Sequence, residues 1–493
     1  MAETRTITAP LDKRFREGTR RRSFSRPPKG LGALSRDQAY WVLAALLVMV
    51  FLFGGGSRAD IASLMFLRPA SVLVLAYALM KLTGEQIRAN RFIFGMAAAW
   101  IVLLLLHLVP LPPAIWQALP GREVVKEIDE AAGLGGVWRP LTMVPYATRN
   151  TLWATMAPLA VLVLGVQLDQ RQRAGLLPLI LVLGLFSALV AVLQILGDPR
   201  GPLYFYRITN SGSAVGLFAN RNHQAVFLAL LLPMLVVWAR TRGMGQGGAR
   251  RARQWPNWAP MAAGICFLIP LILITGSRSG MIMGLVALLL LPAIFAGTRP
   301  VVGDSAGRTE TFGKLRMIVW LFPLGVVALA ALTILLDRGL AAERLMSSGA
   351  VDDMRVRILP TLLSMIRLYA PWGSGIGTFE QIYRLHEPDE LLAPIYVNHA
   401  HNDWLELALT GGIPALALAA VAVGAFLLRL VQLAVPAADR ESLLFARLGL
   451  VVVLILALAS LSDYPLRVPS LACLAVISAL WVHSGKSSVN AED

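Results

Sequence analysis

Charged residues are scarce in this chain of 493 residues: they make up only 15% of it, whereas soluble domains carry about 25%. Hydrophobic residues make up 56%, and the mean hydropathy is +0.64. A soluble globular fold of this size could not bury so much apolar surface. The composition therefore excludes a soluble enzyme, as well as a disordered or fibrous chain, and predicts a protein whose solvent is largely lipid.

Cysteine is almost absent as well. The two cysteines, Cys266 and Cys473, both lie inside apolar runs. This excludes a disulfide framework and any CxxC metal or redox site. Acidic residues are outnumbered by basic ones, with a formal net charge of +16. In a soluble protein such an excess would suggest nucleic acid, but in a membrane protein it first reports orientation.

Apolar runs long enough to cross a bilayer recur along the chain. A helix needs roughly 20 apolar residues to span about 30 Å of hydrocarbon. The sequence therefore predicts an all-α polytopic membrane protein with about 12 transmembrane helices. We place them near 39–54, 62–80, 92–109, 151–168, 174–196, 223–240, 258–275, 280–297, 317–336, 404–428, 444–461 and 468–483.

The basic N-terminal segment sets the predicted orientation. It is too long and too basic for a cleavable signal, with arginine at 20–22 and no apolar core. If it is cytosolic, the alternating loops put the whole excess of positive charge on the cytosolic side, and both termini lie there. The arm is then expected to contact anionic lipids, and nucleic acid is not implied. The predicted parts are a basic arm 1–38, a transmembrane bundle 39–336 of about nine helices, a loop or cap 337–403, three further transmembrane helices 404–483, and a tail 484–493.

The loop at 337–403 is the longest of the predicted outer loops, and long loops usually carry function. Within it, the stretch from Arg355 to Tyr369 has apolar residues at helical spacing. Pro371 and the glycines of GSGIG (373–377) should end this helix. We predict a small helical cap on the outer membrane surface, with an apolar face formed by Val356, Leu359, Leu362, Leu363 and Ile366.

Histidines concentrate where this loop enters the tenth span, in the segment NHAHNDWLELALTGGIP (398–414). A histidine at the start of a membrane span is costly unless it has a partner or a task. His401 is thus a candidate catalytic group, with His399 beside it and Asn402, Asp403 and Glu406 near enough to orient it. Two alternatives stay open. Asn402 or Asp403 could simply cap the span, or the two histidines could bind zinc with a carboxylate.

Arginines form a second pattern at the predicted outer face. Arg278 lies in the turn TGSRSG (275–280), Asn220 and Arg221 lie in FANRNHQA (218–225), and Arg355 and Arg357 open the cap helix. Guanidinium groups bind phosphate oxygens in pairs and stay charged in a low dielectric. Converging arginines would therefore suit a lipid-linked diphosphate, although each one singly could form an ion pair or extend to the interface. The adjacent acids 352–353 could hold a divalent cation, but more often such acids form a solvated face.

These motifs resemble the O-antigen ligase and O-antigen polymerase family of bacterial inner-membrane glycosyltransferases. Four elements occur in the expected order: FANRNHQA at 218–225, TGSRSG at 275–280, DDMRVRI…PWGSGIGTF at 352–379 and NHAHNDWLELALTGGIP at 398–414. The last of these is the most specific. The resemblance extends over residues 110 to about 480 and does not include the basic arm.

The resemblance implies a GT-C-like helical fold and a periplasmic active site that takes a glycan from undecaprenyl diphosphate. By this resemblance His401 is the base, and Arg278 and Arg355 are catalytic. Arg357 is a second candidate because the motif's usual tryptophan is replaced by Leu359. The substrate-binding candidates are then Arg357, His399, Asn402, Asn220 and Arg221. No cofactor and no metal are expected, because arginines can stabilise the leaving diphosphate, and the sugar should be transferred with inversion.

Two questions stay open at this point. A transporter or flippase of lipid-linked glycans would share the spans and the basic groove, but transporters keep polar groups near the bilayer midplane, and here they collect outside the spans. Within the family, the acceptor is lipid A–core for a ligase and a second lipid-linked glycan for a polymerase. The short outer loops favour a polymerase slightly.

Overall fold

A computed structural model describes residues 36–242, 259–295, 349–392, 396–433 and 440–484. The chain there is almost entirely helical, with one two-stranded antiparallel sheet of β1 (Pro110–Leu111) and β2 (Arg139–Pro140). The helices are α1 (Arg36–Phe53), α2 (Leu64–Lys81), α3 (Gly84–Ala89), α4 (Arg91–Leu108), α5 (Pro113–Trp116), α6 (Glu123–Ala131), α7 (Pro145–Ala154), α8 (Met156–Gln167), α9 (Gln170–Leu196), α10 (Arg221–Arg242), α11 (Ala259–Ile274), α12 (Arg278–Phe295), α13 (Gly349–Tyr369), α14 (Phe379–His386), α15 (Asp403–Gln432), α16 (Arg440–Ala459) and α17 (Pro469–Ser484).

Over these described residues, eight helical segments are long and apolar enough to cross a membrane. They are α2, α4, the continuous pair α7–α8, α9, α10, α12, α15 and α16, and the shorter apolar helices are α1, α11 and α17. The chain is therefore an all-α polytopic membrane protein, as predicted. Each predicted span coincides with a helix except the one at 317–336, which lies outside the described residues. Most of the predicted arm and tail also lies outside them, and α1 begins at Arg36, inside the predicted arm.

The centre of the bundle is α10, which packs against α9, α11, α12 and α16. Residues 225–232 of α10 are apolar and fully buried on every side of the helix. A helix that is hydrophobic all round is surrounded by other helices, and one with an apolar stripe is not. The bundle therefore fixes α10 firmly, and with it the residues at its N-terminus.

Several connections meet at one end of the bundle, which we call the site end. The Ala219 amide donates to the Gly55 carbonyl at 3.0 Å, and the Ser470 amide donates to the Gly54 carbonyl at 3.1 Å. The hydroxyls of Ser279 and Ser462 are 2.8 Å apart. These contacts join the connections 54–63, 197–220, 275–277 and 460–468 into one polar layer above the helices.

The helix α15 is broken near its start, and the break accommodates the glycine-rich loop 373–377. Gly412 has φ +61°, and a Cβ added there would lie 2.2 Å from the Pro371 carbonyl oxygen. At the break, the Ile413 amide donates to the Pro371 carbonyl at 2.8 Å, and the Ser374 amide donates to the Leu409 carbonyl at 3.0 Å. The loop thus replaces helical hydrogen bonds and locks the end of α13 onto α15. The GSGIG motif has a structural role in joining these elements.

The cap helix α13 is confirmed as a helix, but its buried face differs from the predicted one. It begins at Gly349, upstream of the expected start, and ends at Tyr369. Of the five predicted apolar-face residues only Leu362 is fully buried, while Val356 is 68% exposed. The packed stripe is instead formed by Ile358, Leu362, Met365 and Tyr369, together with α14, Ala400 and Leu409. The prediction of the buried face was wrong because the helix carries two apolar stripes, and periodicity alone does not say which stripe packs against the protein.

Candidate functional site

His401 lies at the site end with a buried carboxylate beside it. Its Nδ1 is 3.3 Å from Oδ1 of Asp463, which belongs to the connection between α16 and α17. The Asp463 side chain is only 1% exposed, whereas that of His401 is 21% exposed. His401 also has φ +51°, an uncommon conformation for a residue other than glycine. Such backbone strain persists only where surrounding contacts hold it, so this histidine is held in a defined position.

The state of Asp463 follows from its neighbours. Burial alone would raise the pKa of this carboxyl group, but the hydrogen bond with His401 and the charges of His223, His401 and Arg355 outweigh it. The net result is a pKa below the ordinary value for aspartate. The group is therefore a carboxylate, which can only accept, so the Nδ1–H of His401 donates to it. The nitrogen left to meet a substrate is Nε2.

His399 belongs to a second, separate network. Its Nδ1 is 3.1 Å from Oε1 of Glu406, and the Ala400 amide donates to Oε2 of Glu406 at 2.9 Å. Arg467 reaches the same Glu406 oxygen at 3.2 Å and also donates through Nε to Asp403 at 2.9 Å. The carboxylates of α15 near the histidines are thus used to hold His399 and Arg467. Sequence proximity suggested that they would orient His401, and that expectation was wrong: Asp463 does so.

Tyr464 fills the space between the histidines. Its ring centroid lies 4.4 Å from that of His399, 5.1 Å from that of His401 and 5.0 Å from that of His223. The side chains of Asn220 and Asn398 interact with the Tyr464 hydroxyl, but burial and the nearby Asp463 raise its pKa above the ordinary value. Tyr464 therefore stays a neutral spacer that fixes the three rings relative to one another.

Two of the predicted arginines lie along the turn TGSRSG. Arg278 is the exposed first residue of α12, and its neighbour Ser279 bonds to Ser462, next to Asp463. The Arg221 guanidinium lies over the same turn, since a Cβ added at Gly276 would be 3.5 Å from its Nη1. Both arginines thus lie at a turn that contacts the connection carrying Asp463.

The structure separates the two arginines of the cap helix. The charge of Arg355 acts on both His223 and Asp463, which puts it within electrostatic reach of the histidine cluster. Arg357 instead donates through Nη2 to the Glu390 carbonyl at 3.1 Å, in an exposed contact. Of these two arginines, Arg355 is the one whose charge reaches the histidine cluster.

The two predicted asparagines both act as helix caps. Asn402 Oδ1 accepts the amides of Trp404 and Leu405 at 3.1 Å, and its Nδ2 donates to the Leu461 carbonyl at 3.0 Å. Asn220 Oδ1 accepts the amide of Asn222 at 2.9 Å. The capping alternative is thus correct for Asn402, and its amide is largely occupied by the protein itself.

Sequence reasoning missed Asp463, Tyr464 and Arg467, which complete the cluster. All three lie in the short connection SDYPLRVP (462–469) between two apolar spans. An aspartate and an arginine in so short a connection were the available signal. Among the described residues no three His, Cys, Asp or Glu side chains are grouped so as to hold a metal ion. The side chains of residues 352 and 353, which could have held a cation, lie outside the described set.

The family model described as O-Antigen ligase matches residues 262–420, about a third of the chain. The matched range includes most of α11, α12, the cap helix and the histidine segment. This confirms the resemblance indicated by the motifs, and it supports a ligase or polymerase role in polysaccharide biosynthesis at a membrane. No curated protein matches the chain.

Proposed function

We propose that this protein is a glycosyltransferase that moves a glycan from undecaprenyl diphosphate onto a sugar hydroxyl of an acceptor. The acceptor is either lipid A–core or a second lipid-linked glycan. The single observation that carries the proposal is the hydrogen-bonded pair of His401 and Asp463, at 3.3 Å, set among arginines at the end of a membrane bundle. The match of residues 262–420 to the O-antigen ligase family supports the same class of reaction.

In this proposal His401 is the general base. The acceptor hydroxyl gives its proton to Nε2 as its oxygen attacks the anomeric carbon of the donor. Asp463 keeps the other ring nitrogen protonated and stabilises the imidazolium that forms. Histidine suits this task because imidazole changes its charge near neutral pH. His399 acts indirectly, by holding the segment 398–401 through Glu406.

Arg278 and Arg355 bind the departing diphosphate in the proposal, and Arg221 lies beside them as a substrate-binding residue. Guanidinium groups offer paired donors to phosphate oxygens and stabilise the negative charge that grows as the bond to the sugar breaks. The N-termini of α10 and α12 add positive partial charge to the same region. Attack opposite the diphosphate inverts the anomeric carbon, and no metal ion is required.

The proposed location is the bacterial inner membrane, with both termini cytosolic and the site end facing the periplasm. The distribution of basic residues along the sequence supports this orientation. It also suits the chemistry, since a lipid diphosphate donor is already activated and needs no ATP. The basic arm 1–38 would then contact anionic lipids on the cytosolic side.

The experiment that tests the reaction class uses purified protein in detergent with a lipid-linked glycan. We expect undecaprenyl diphosphate to be released and a longer or transferred glycan to form. In detergent there are no compartments, so a transporter without chemistry would leave both substrates unchanged. Recovery of the intact donor, with protein that is folded and binds it, would contradict the proposal and favour the transporter.

The acceptor is distinguished in a deletion strain. If lipid A–core still carries single repeat units and the chains of several repeats are lost, the protein is a polymerase. If bare core accumulates while polymer remains on undecaprenyl diphosphate, it is a ligase. Gel electrophoresis of the surface glycan separates these results directly.

A further inference from the structure

A pocket lies beside the N-terminal half of α2 and is bordered by Arg467 of the 460–468 connection. It is small and partly open, with a cavity volume of about 30 Å³, and it lies between α2, the α7–α8 pair and the start of α17. Its polar lining consists of Ser57, Arg68, Ser71, Asn150 and Arg467, and the remainder is mainly apolar. A mixed lining of this kind, with a few converging polar groups, is typical of a ligand site.

Arg68 is the unusual member of this lining. It lies on the membrane-spanning helix α2, and its Nη2 donates to Asn150 Oδ1 at 2.6 Å. Its Nε is buried and has no hydrogen-bond partner. Among the residues that the structure describes, no carboxylate pairs with it. A guanidinium in a membrane span is costly without a counter-charge, so a position of this kind indicates an anionic ligand.

The second arginine of the pocket connects it to the histidines. Arg467 lines the pocket and at the same time binds Asp403 and Glu406, and Glu406 holds His399. The connection 460–468 therefore supplies Asp463 to His401 and Arg467 to the lining of the Arg68 pocket.

We infer that the Arg68 pocket binds the phosphate group of the acceptor lipid, while the donor diphosphate occupies the region of Arg278 and Arg355. The inference rests on the proposed function, and it assigns the second substrate to a second basic site. Both possible acceptors, a lipid A–core and a lipid-linked glycan, carry phosphate next to their apolar chains. The pocket matches this pairing because Arg68 meets the phosphate, while Leu64, Leu67 and Pro469 face the apolar part.

The binding test counts lipids on the purified full chain by native mass spectrometry, with undecaprenyl phosphate as the probe and undecaprenol as its uncharged counterpart. We expect two molecules of undecaprenyl phosphate on the wild type, and undecaprenol to bind far more weakly. Arg68→Gln and Arg278→Gln should each lose one molecule, with affinity for it about ten- to a hundredfold weaker, because charged hydrogen bonds are lost. The matched control is Arg149→Gln, which removes an exposed arginine from α7 next to Asn150 without touching the pocket. Arg149→Gln should still bind both lipid molecules.

A second variant tests the pocket in case Arg68→Gln does not fold. Asn150→Asp keeps the arginine and gives it a carboxylate, so the protein should fold while the pocket loses its attraction for phosphate. If Asn150→Asp and Arg68→Gln both bind two lipids, the pocket is not a phosphate site. Inorganic phosphate serves as a competitor, and if it displaces the lipid from the Arg68 site at equal concentration, the assignment to a lipid is overturned.

Transfer kinetics separate this inference from the proposed function. Arg68→Gln should raise KM for the acceptor about ten- to a hundredfold and leave KM for the donor unchanged. A rise in KM for the donor instead would overturn the assignment to the acceptor. If transfer proceeds and Arg68→Gln alters neither constant, the inference fails and the proposed function stands. If no transfer occurs but lipid phosphate binding still depends on Arg68, the proposed function fails and the site stands.

Discussion

Replacing Asp463 by asparagine removes a charge from the His401 pair with almost no change in volume. Two unit charges at the observed 3.3 Å attract with about 5 kcal/mol at an effective dielectric constant of about 20. The His401 side chain is 21% exposed, so solvent screens part of this. We therefore expect Asp463→Asn to lose about 2–4 kcal/mol of transition-state stabilisation, or about thirtyfold to a thousandfold in rate.

The assay is single-turnover transfer from a lipid-linked glycan in detergent, with donor binding measured separately. The fall should appear in the rate of transfer, while the affinity for the donor changes little, because Asp463 acts on the base. The matched control is Asp403→Asn, which removes a carboxylate of the same cluster that pairs with Arg467 and does not contact His401. Asp403→Asn should retain most of the transfer rate. Equal losses in both variants would refute the reasoning.

The same substitution has a consequence for stability. The pKa of Asp463 is lowered in the folded protein, so the unfolded state binds a proton first as the pH falls. The stabilisation is then fully present above the unfolded pKa of about 3.9 and is lost as the pH falls through the folded value. The difference in melting temperature between wild type and Asp463→Asn should shrink as the pH falls below about 4. A difference that grows as the pH falls from about 4 to about 2 would contradict this sign.

Three further predictions concern the arginines, the kink of α15 and metals. In the same assay, Arg355→Gln should reduce the transfer rate about a hundredfold. Arg357→Gln should reduce it far less, because Arg357 binds the exposed Glu390 carbonyl. Equal effects would restore Arg357 as a candidate. Gly412→Ala should lower thermal stability strongly, because its Cβ would lie 2.2 Å from a carbonyl oxygen at φ +61°, while Gly424→Ala in the same helix meets nothing within 4 Å and should be neutral or slightly stabilising. Transfer should persist in EDTA, and a loss that magnesium or manganese restores would show that a cation stabilises the leaving group.

Much of the fold could be predicted because membrane spans are determined by long apolar runs, which are local in sequence. The spans within the described residues, the positions of most helices and the cap helix from Arg355 to Tyr369 followed from such runs and from helical periodicity, whereas the start of that helix at Gly349 did not. The side of the cap helix that packs did not follow, since both Val356 and Ile358 belong to apolar stripes and only tertiary contact distinguishes them. The break at Gly412 is also a tertiary feature, because it depends on the loop that begins at Pro371.

The candidate site was predictable in its composition but not in its pairing. His401 and Arg278 stand in motifs that can be recognised locally, whereas Asp463 lies 62 residues from His401 in sequence. Proximity in sequence favours Asn402, Asp403 and Glu406 as partners of His401, yet the start of α15 turns the Glu406 carboxylate toward His399. Side-chain pairing across helices requires the packing of the bundle, and no local pattern encodes it.

The measurement that tests the central claim most directly compares His401→Ala with His399→Ala in a reconstituted transfer assay, after both variants are shown to insert and to bind donor. The account predicts that His401→Ala abolishes transfer, because the base is gone, while His399→Ala, which loses only a supporting contact with Glu406, retains measurable transfer. Transfer by His401→Ala at near wild-type rate would contradict the account. Equal loss in the two variants would also contradict it and would favour a zinc site, for which metal analysis of the purified protein is the check.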